Sequence, residues 1–200
     1  MAGSKTDRQD LEVKKSTVLV TVGTTKFEAL SKAADSIQFV ETLRSSGYRK
    51  LVLQIGSSDS FFPSVLFGEV EGVSKEGTVT FDGFEVEYFR YAPTLKERIE
   101  EAALVISHAG AGSVFESLRA GKRLIAVPNG ALMDNHQADL CGYLKEKGFM
   151  EVAEVGGLGE AVVRMGEELD GGWLKRYVSD DGRGIGRAIG QDYARRSGRG

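Results

Sequence analysis

The chain has 200 residues, 41% of them hydrophobic and 28% charged, which suits one α/β domain with tails and excludes wholesale disorder. A formal net charge of -3, with Lys and Arg spread along the chain, gives no electrostatic footprint for a nucleic-acid backbone. The single Cys141 leaves no internal disulfide, and no Cys/His cluster has metal-ligand spacing, so neither a metal nor a cofactor is expected.

Residues 1–15 read as a polar tail of mixed charge without the apolar run of a secretory signal. Thr17 to Val22 is an apolar strand that ends at Gly23-Thr24-Thr25. Phe27, Leu30, Ala34, Ile37 and Val40 then recur at three- and four-residue steps and predict one helical face. Leu51 to Ile55 is a second strand, closed by Gly56. The Gly-, Ser- and acid-rich stretch 57–82 predicts a loop or small hairpin insertion, and Val86 to Tyr91 a third strand stopped by Pro93. Leu95, Ile99 and Ala102 predict a short helix before the strand Leu104-Val105-Ile106. The turn His108-Ala109-Gly110-Ala111-Gly112 leads into a helix carrying Val114, Phe115 and Leu118 and ending at Gly121. Leu124 to Val127 is a further strand, halted by Pro128. Ala138, Cys141 and Leu144 mark a helix that stops at Gly148, and a last helix spans about Leu158 to Leu169. No stretch approaches the roughly 18 to 20 apolar residues that span a bilayer, so no direct membrane span is expected.

Continuous apolar strands alternating with helices predict a Rossmann-like α/β fold, a mostly parallel sheet with helices on both faces. The domain is expected over residues 16–178, with 179–200 as a C-terminal tail or docking segment. In that segment Ile185, Ile189 and Tyr193 fall four apart, the spacing of an amphipathic helix. Parallel sheets bind ligands at the carboxyl ends of their strands. Three loops should therefore open at one edge: Gly23 to Thr25, His108 to Gly112, and Pro128 to Gln137.

The stretch from Ser107 to Glu116 carries the sharpest chemistry. Glycines at a strand-to-helix turn expose backbone N–H groups, and the helix N-terminus adds partial positive charge, a setting for a diphosphate. His108 and Ser113 add donors, and Glu116 one turn on suits the hydroxyls of a ribose. The alternative is a capping box, with Ser113 and Glu116 satisfying helix-end N–H groups. Asp134 and Gln137 offer the same choice at the next helix start. There Asn135 and Gln137 carry the amides that sugar hydroxyls require. Gly23-Thr24-Thr25 provides N–H groups and hydroxyls for phosphate, or is an ordinary turn.

His108 to Ser113 with Glu116, followed by Leu132-Met133-Asp134-Asn135-His136-Gln137, resembles the sugar-nucleotide domain of GT-B glycosyltransferases of family 28. More narrowly, with Val20 to Phe27, it is similar to the catalytic subunits of the two-part enzyme that extends dolichol-diphosphate-linked N-acetylglucosamine. The resemblance spans roughly Thr17 to Gly148. It implies that Gly23, Thr24, Thr25, His108, Gly110, Gly112 and Ser113 face the diphosphate, and that His108 stabilises the leaving group. Glu116 would hold the ribose, Asn135, His136 and Gln137 the N-acetylglucosamine, and the Ala92–Leu95 loop the uracil. It further implies an inverting, metal-independent N-acetylglucosaminyltransferase using UDP-N-acetylglucosamine. The acceptor would be a lipid-linked sugar, held by a membrane-anchored partner subunit that supplies the missing general base. A cytoplasmic chain recruited to the cytosolic face of the endoplasmic reticulum follows, with the C-terminal segment docking on the partner. Two other readings stay open: a non-catalytic nucleotide-binding module, and a self-sufficient sugar-nucleotide hydrolase using His108.

Overall fold

A computed structural model describes residues 16–57, 61–68, 75–129, 135–171 and 174–175; for 135–138 and 168–171 it describes the backbone alone. The expected tails, 1–15 and 179–200, lie outside the described residues, as does the loop 130–134.

Seven strands form one sheet in the order β3-β4-β2-β1-β5-β6-β7. In chain order they are β1 Thr17–Thr21, β2 Lys50–Gln54, β3 Glu76–Phe81, β4 Phe84–Phe89, β5 Leu104–Ser107, β6 Arg123–Ala126 and β7 Glu151–Val152. Every pairing is parallel except β3 with β4. The helices are α1 Glu28–Ala34, α2 Ile37–Ser45, α3 Ser64–Phe67, α4 Lys96–Glu101, α5 Ala111–Arg119, α6 Asn135–Glu146 and α7 Leu158–Gly171.

Side chains alternate across the sheet, and both faces are covered. Val18, Val20, Leu51, Leu53, Leu104 and Ile106 pack with residues of α1, α2 and α7. Leu19, Val52 and Val105 pack with residues of α4, α5 and α6. Burial on two sides is why these strands read as unbroken apolar runs. Each buried Leu or Ile contributes on the order of 1.5 to 3 kcal/mol.

Three sequence expectations change. The single helical face from Phe27 to Val40 is two helices, because Ser36 starts a new one: its Oγ accepts from the Phe39 N–H at 3.2 Å. Ile37 accordingly points outward, 52% exposed, instead of joining the buried stripe. Asp35, in the break, is buried and accepts from the Val65 and Leu66 N–H groups at 3.2 and 3.0 Å, capping α3. The 57–82 segment contains α3 and then β3, which turns at Asp82-Gly83 into β4. Both turn residues have positive φ, 51° and 76°, as a two-residue hairpin requires. Strand β4 therefore starts at Phe84, earlier than the expected Val86, and β3 lies antiparallel at the sheet edge. Finally, β7 was not expected. Its Glu151 is buried and paired with Lys145 at 2.8 Å and Arg164 at 3.6 Å, so one short strand ties α6 to α7.

Candidate functional site

Beyond the carboxyl ends of β1, β2, β4 and β5 lies a cleft of about 390 Å³. Gly23, Thr24 and Gln54 line one part of it, Tyr91 to Leu95 another, and His108, Gly110, Gly112, Ser113 and Glu116 a third. No Lys or Arg is among these lining residues; the donors they offer an anion are backbone N–H groups and neutral side chains.

The turn from β5 into α5 is sharp. The His108 N–H donates to the Thr21 carbonyl at 3.1 Å, extending the β1–β5 ladder by one residue. Ala109 then takes φ +66°, a left-handed conformation rare for a residue with a side chain, and its methyl is buried. That pivot lets Gly110 cap the helix with extended backbone and no side-chain cap. The N–H groups of Ala111, Gly112 and Ser113 sit in the first turn, where no carbonyl precedes them to accept.

The capping-box alternative for this helix does not hold. Ser113 is the third residue of α5, not its cap, and the Glu116 carboxylate accepts no hydrogen bond from any described residue. Ser113 Oγ is likewise without a described partner, and both side chains border the cleft. The His108 imidazole lies between two glycines. A methyl on Gly110 would sit 2.3 Å from Nε2, and one on Gly23 would sit 2.6 Å from Cε1. Burial of the ring pushes its pKa below the ordinary value, partly offset by the Thr21 backbone, which favours the neutral ring at pH 7. Its Nδ1 is buried without a partner among the described residues, which leaves Nε2 as the polar atom beside Gly110.

The Gly23 loop is arranged differently from the sequence expectation. The Gly23 N–H is already engaged by Thr21 Oγ1 and Gln54 Oε1, at 3.0 and 3.1 Å. Thr25 donates both its N–H and its hydroxyl to the Val22 carbonyl, at 3.2 and 2.8 Å, and does not line the cleft. Only Thr24 keeps its donors for a ligand. Asn135, His136 and Gln137 open α6, but their side chains lie outside the described residues. Sequence reasoning missed Gln54 and Tyr91. Gln54 was visible as one amide ending an apolar strand, and Tyr91 is 70% exposed at the cleft rim.

A mostly parallel sheet covered by helices on both faces is the fold of the GT-B glycosyltransferases. The MurG of Acinetobacter baumannii shares that fold with a TM-score of 0.55 at 17% identity, over 80% of this chain and 44% of that one. The NMR solution structure of ALG13 does so with a TM-score of 0.61 at 22% identity, over 87% and 94%. The chain belongs to the glycosyltransferase family 28 C-terminal domain family, whose model matches residues 17–165. Among named relatives, the UDP-N-acetylglucosamine transferase subunit ALG13 of Homo sapiens is 41% identical over 66% of this chain. The subunit of the same name from Cryptococcus neoformans is 33% identical over 73% of this chain and 81% of its own length. The match spans about a tenth of the human relative's length (10%) and 61% of the Yarrowia lipolytica one. No helix among the described residues is long and apolar enough to cross a membrane.

Proposed function

We propose that this chain binds UDP-N-acetylglucosamine in the cleft and works as the donor-binding subunit of a glycosyltransferase. A membrane-anchored partner would hold the acceptor, N-acetylglucosaminyl-diphosphodolichol, on the cytosolic face of the endoplasmic reticulum. The product would be the chitobiosyl lipid of N-glycan precursor assembly. The relatives' name as transferase subunits supports a partner and this donor.

One observation carries the donor reading: a helix start without a side-chain cap and a glutamate without a partner among the described residues, one turn apart, border the same cleft. The diphosphate would lie at the first turn of α5, against Gly110, Gly112 and Ser113, with Thr24 and His108 reaching it from the side. Glu116 would accept from both ribose hydroxyls, and the Tyr91–Leu95 wall would take the uracil. Asn135, His136 and Gln137 would approach the N-acetylglucosamine. The acceptor hydroxyl attacks the anomeric carbon opposite the diphosphate, the glycosidic bond to UDP breaks, and configuration inverts. Negative charge then grows on the departing phosphate. The α5 N–H groups and neutral His108 offer donors where it develops, so catalysis by these groups needs no metal ion. The proton of the acceptor hydroxyl goes to a base on the partner.

Calorimetry on Glu116→Ala tests the assignment. A carboxylate bonded to two hydroxyls supports at least about a tenfold loss of UDP affinity. Unchanged affinity would remove Glu116 from the ribose. Mixing the chain with the membrane subunit should give transfer to lipid-linked N-acetylglucosamine that persists in EDTA. Robust transfer by the chain alone would contradict the two-subunit reading.

A further inference from the structure

The top row of the sheet, read across the register, is Glu76, Phe89, Gln54, Thr21, Ser107, Ala126 and Val152. Its three middle residues are polar and buried, directly under the cleft: Gln54 is 4% exposed, Thr21 and Ser107 0%. Flanked by Phe89 on one side and Ala126 on the other, this polar centre has a cost, because a buried amide must find partners. Gln54 finds them in one residue. Its Nε2 donates to the Gly23 carbonyl at 2.8 Å, and its Oε1 accepts the Gly23 N–H at 3.1 Å. The amide thus closes a ring with both polar groups of one backbone residue, as a neighbouring strand would. Thr21 Oγ1 completes the clamp, donating to Gln54 Oε1 and accepting from Gly23 N–H.

Gly23 needs such a clamp. It stands at φ +61°, one of several conformations open to a glycine, and it abuts the His108 ring. Two residues beyond Gln54, Gly56 lies so close to the same loop that a methyl there would meet the Thr25 carbonyl at 2.6 Å. The end of β2 therefore fixes one side of the ring, and Gly110 at the start of α5 fixes the other. An apolar side chain at position 54 would carry no amide to desolvate. It would leave the Gly23 carbonyl unheld and the Gly23 N–H with Thr21 Oγ1 alone. The amide serves position rather than burial.

We infer that Gln54 is a positioning residue of the cleft: it locks the Gly23 backbone and, through it, the His108 ring against the place where a nucleotide's phosphates are met. The inference rests on the donor reading above and deepens it, since it assigns Gln54 to the diphosphate end and not to the nucleoside end.

The test uses the full chain and two probes, UDP and uridine, with the Gly23 amide and His108 Hε1 resonances followed by NMR. Gln54→Met, similar in length and without hydrogen bonds, should weaken UDP binding by about tenfold and leave uridine binding as it was. It should also move both resonances in the ligand-free chain. Gln54→Glu keeps the acceptor and loses the donor. Compared with wild type at the same pH, it should recover UDP affinity as acid protonates the new carboxyl, which can then donate to Gly23. Equal losses for UDP and uridine would reduce Gln54 to a general stabilising residue and overturn the inference, as would unchanged UDP affinity with unmoved resonances. If Gln54→Met does not fold, the pH response of Gln54→Glu decides the same question. A wild-type chain that bound no UDP would overturn the donor reading, while the two resonances would still decide whether Gln54 holds Gly23 and His108.

Discussion

Two glycines in the α5 turn, two residues apart, should respond to the same substitution in opposite ways. Gly112 is the second residue of α5, and a methyl there would meet nothing within 4 Å. Gly112→Ala replaces a flexible residue by a good helix former in open space, a gain of about 0.5 to 1 kcal/mol. For a domain of this size that raises Tm by about 1 to 4 °C. Gly110→Ala places its methyl 2.3 Å from His108 Nε2, so the imidazole must leave its seat. The Gly110 backbone (φ -66°, ψ 128°) is ordinary for alanine, so the cost is steric alone and comes to about 1 to 3 kcal/mol. For ligand binding the two variants should agree. If a diphosphate lies on the first turn of α5, the methyl that Gly112→Ala introduces stands in its path, and UDP affinity falls about tenfold or more. Differential scanning fluorimetry with UDP calorimetry separates the effects: the Gly112→Ala chain melts higher and binds worse. A Gly112→Ala chain that is both more stable and fully able to bind UDP would refute a phosphate at this helix start.

Other outcomes follow from groups elsewhere. Because burial lowers the His108 pKa, the unfolded chain binds protons that the native ring refuses once pH drops below about 6.5, the ordinary histidine value. Stability should therefore fall as pH decreases through that range, and urea midpoints between pH 7.5 and 5.5 should fall less steeply in His108→Gln than in wild type. Asp35→Ala removes the acceptor of two α3 N–H groups and should cost about 1 to 3 kcal/mol, read from the denaturant midpoint. Cys141 is buried among apolar side chains, which pushes its thiol up to about 11. It should resist alkylation at pH 8 in the native chain and react at once in urea.

How much of this was readable beforehand depended on how local the cause was. Strands β1, β2, β5 and β6 were legible because burial on both faces leaves unbroken runs such as Leu51-Val52-Leu53. Strand β7 was not, since it is two residues long and opens on Glu151, whose partners, Lys145 and Arg164, come from two separate helices. The break between α1 and α2 was hidden because three- and four-residue steps run straight through it. Asp35 is held there by residues 30 positions away. At the cleft, glycines at a strand-to-helix turn announced α5, and Ser113 and Glu116 were separable from a capping box only once the helix start fell at Ala111. Gln54 escaped notice because a polar residue at a strand end usually marks the return to solvent. Its burial depends on Thr21 and Gly23, which only the sheet register brings alongside.

The histidine seated between Gly23 and Gly110 has a consequence for how this turn can vary through descent. Neither glycine can acquire a side chain while the ring remains; loss of the ring would open a gap that position 110 could fill, whereas position 23, at φ +61°, would stay strained with a side chain. Position 110 should therefore change only where position 108 has changed, while position 23 stays glycine in either case. Lineages in which the histidine has drifted are the ones in which to look for a side chain at position 110.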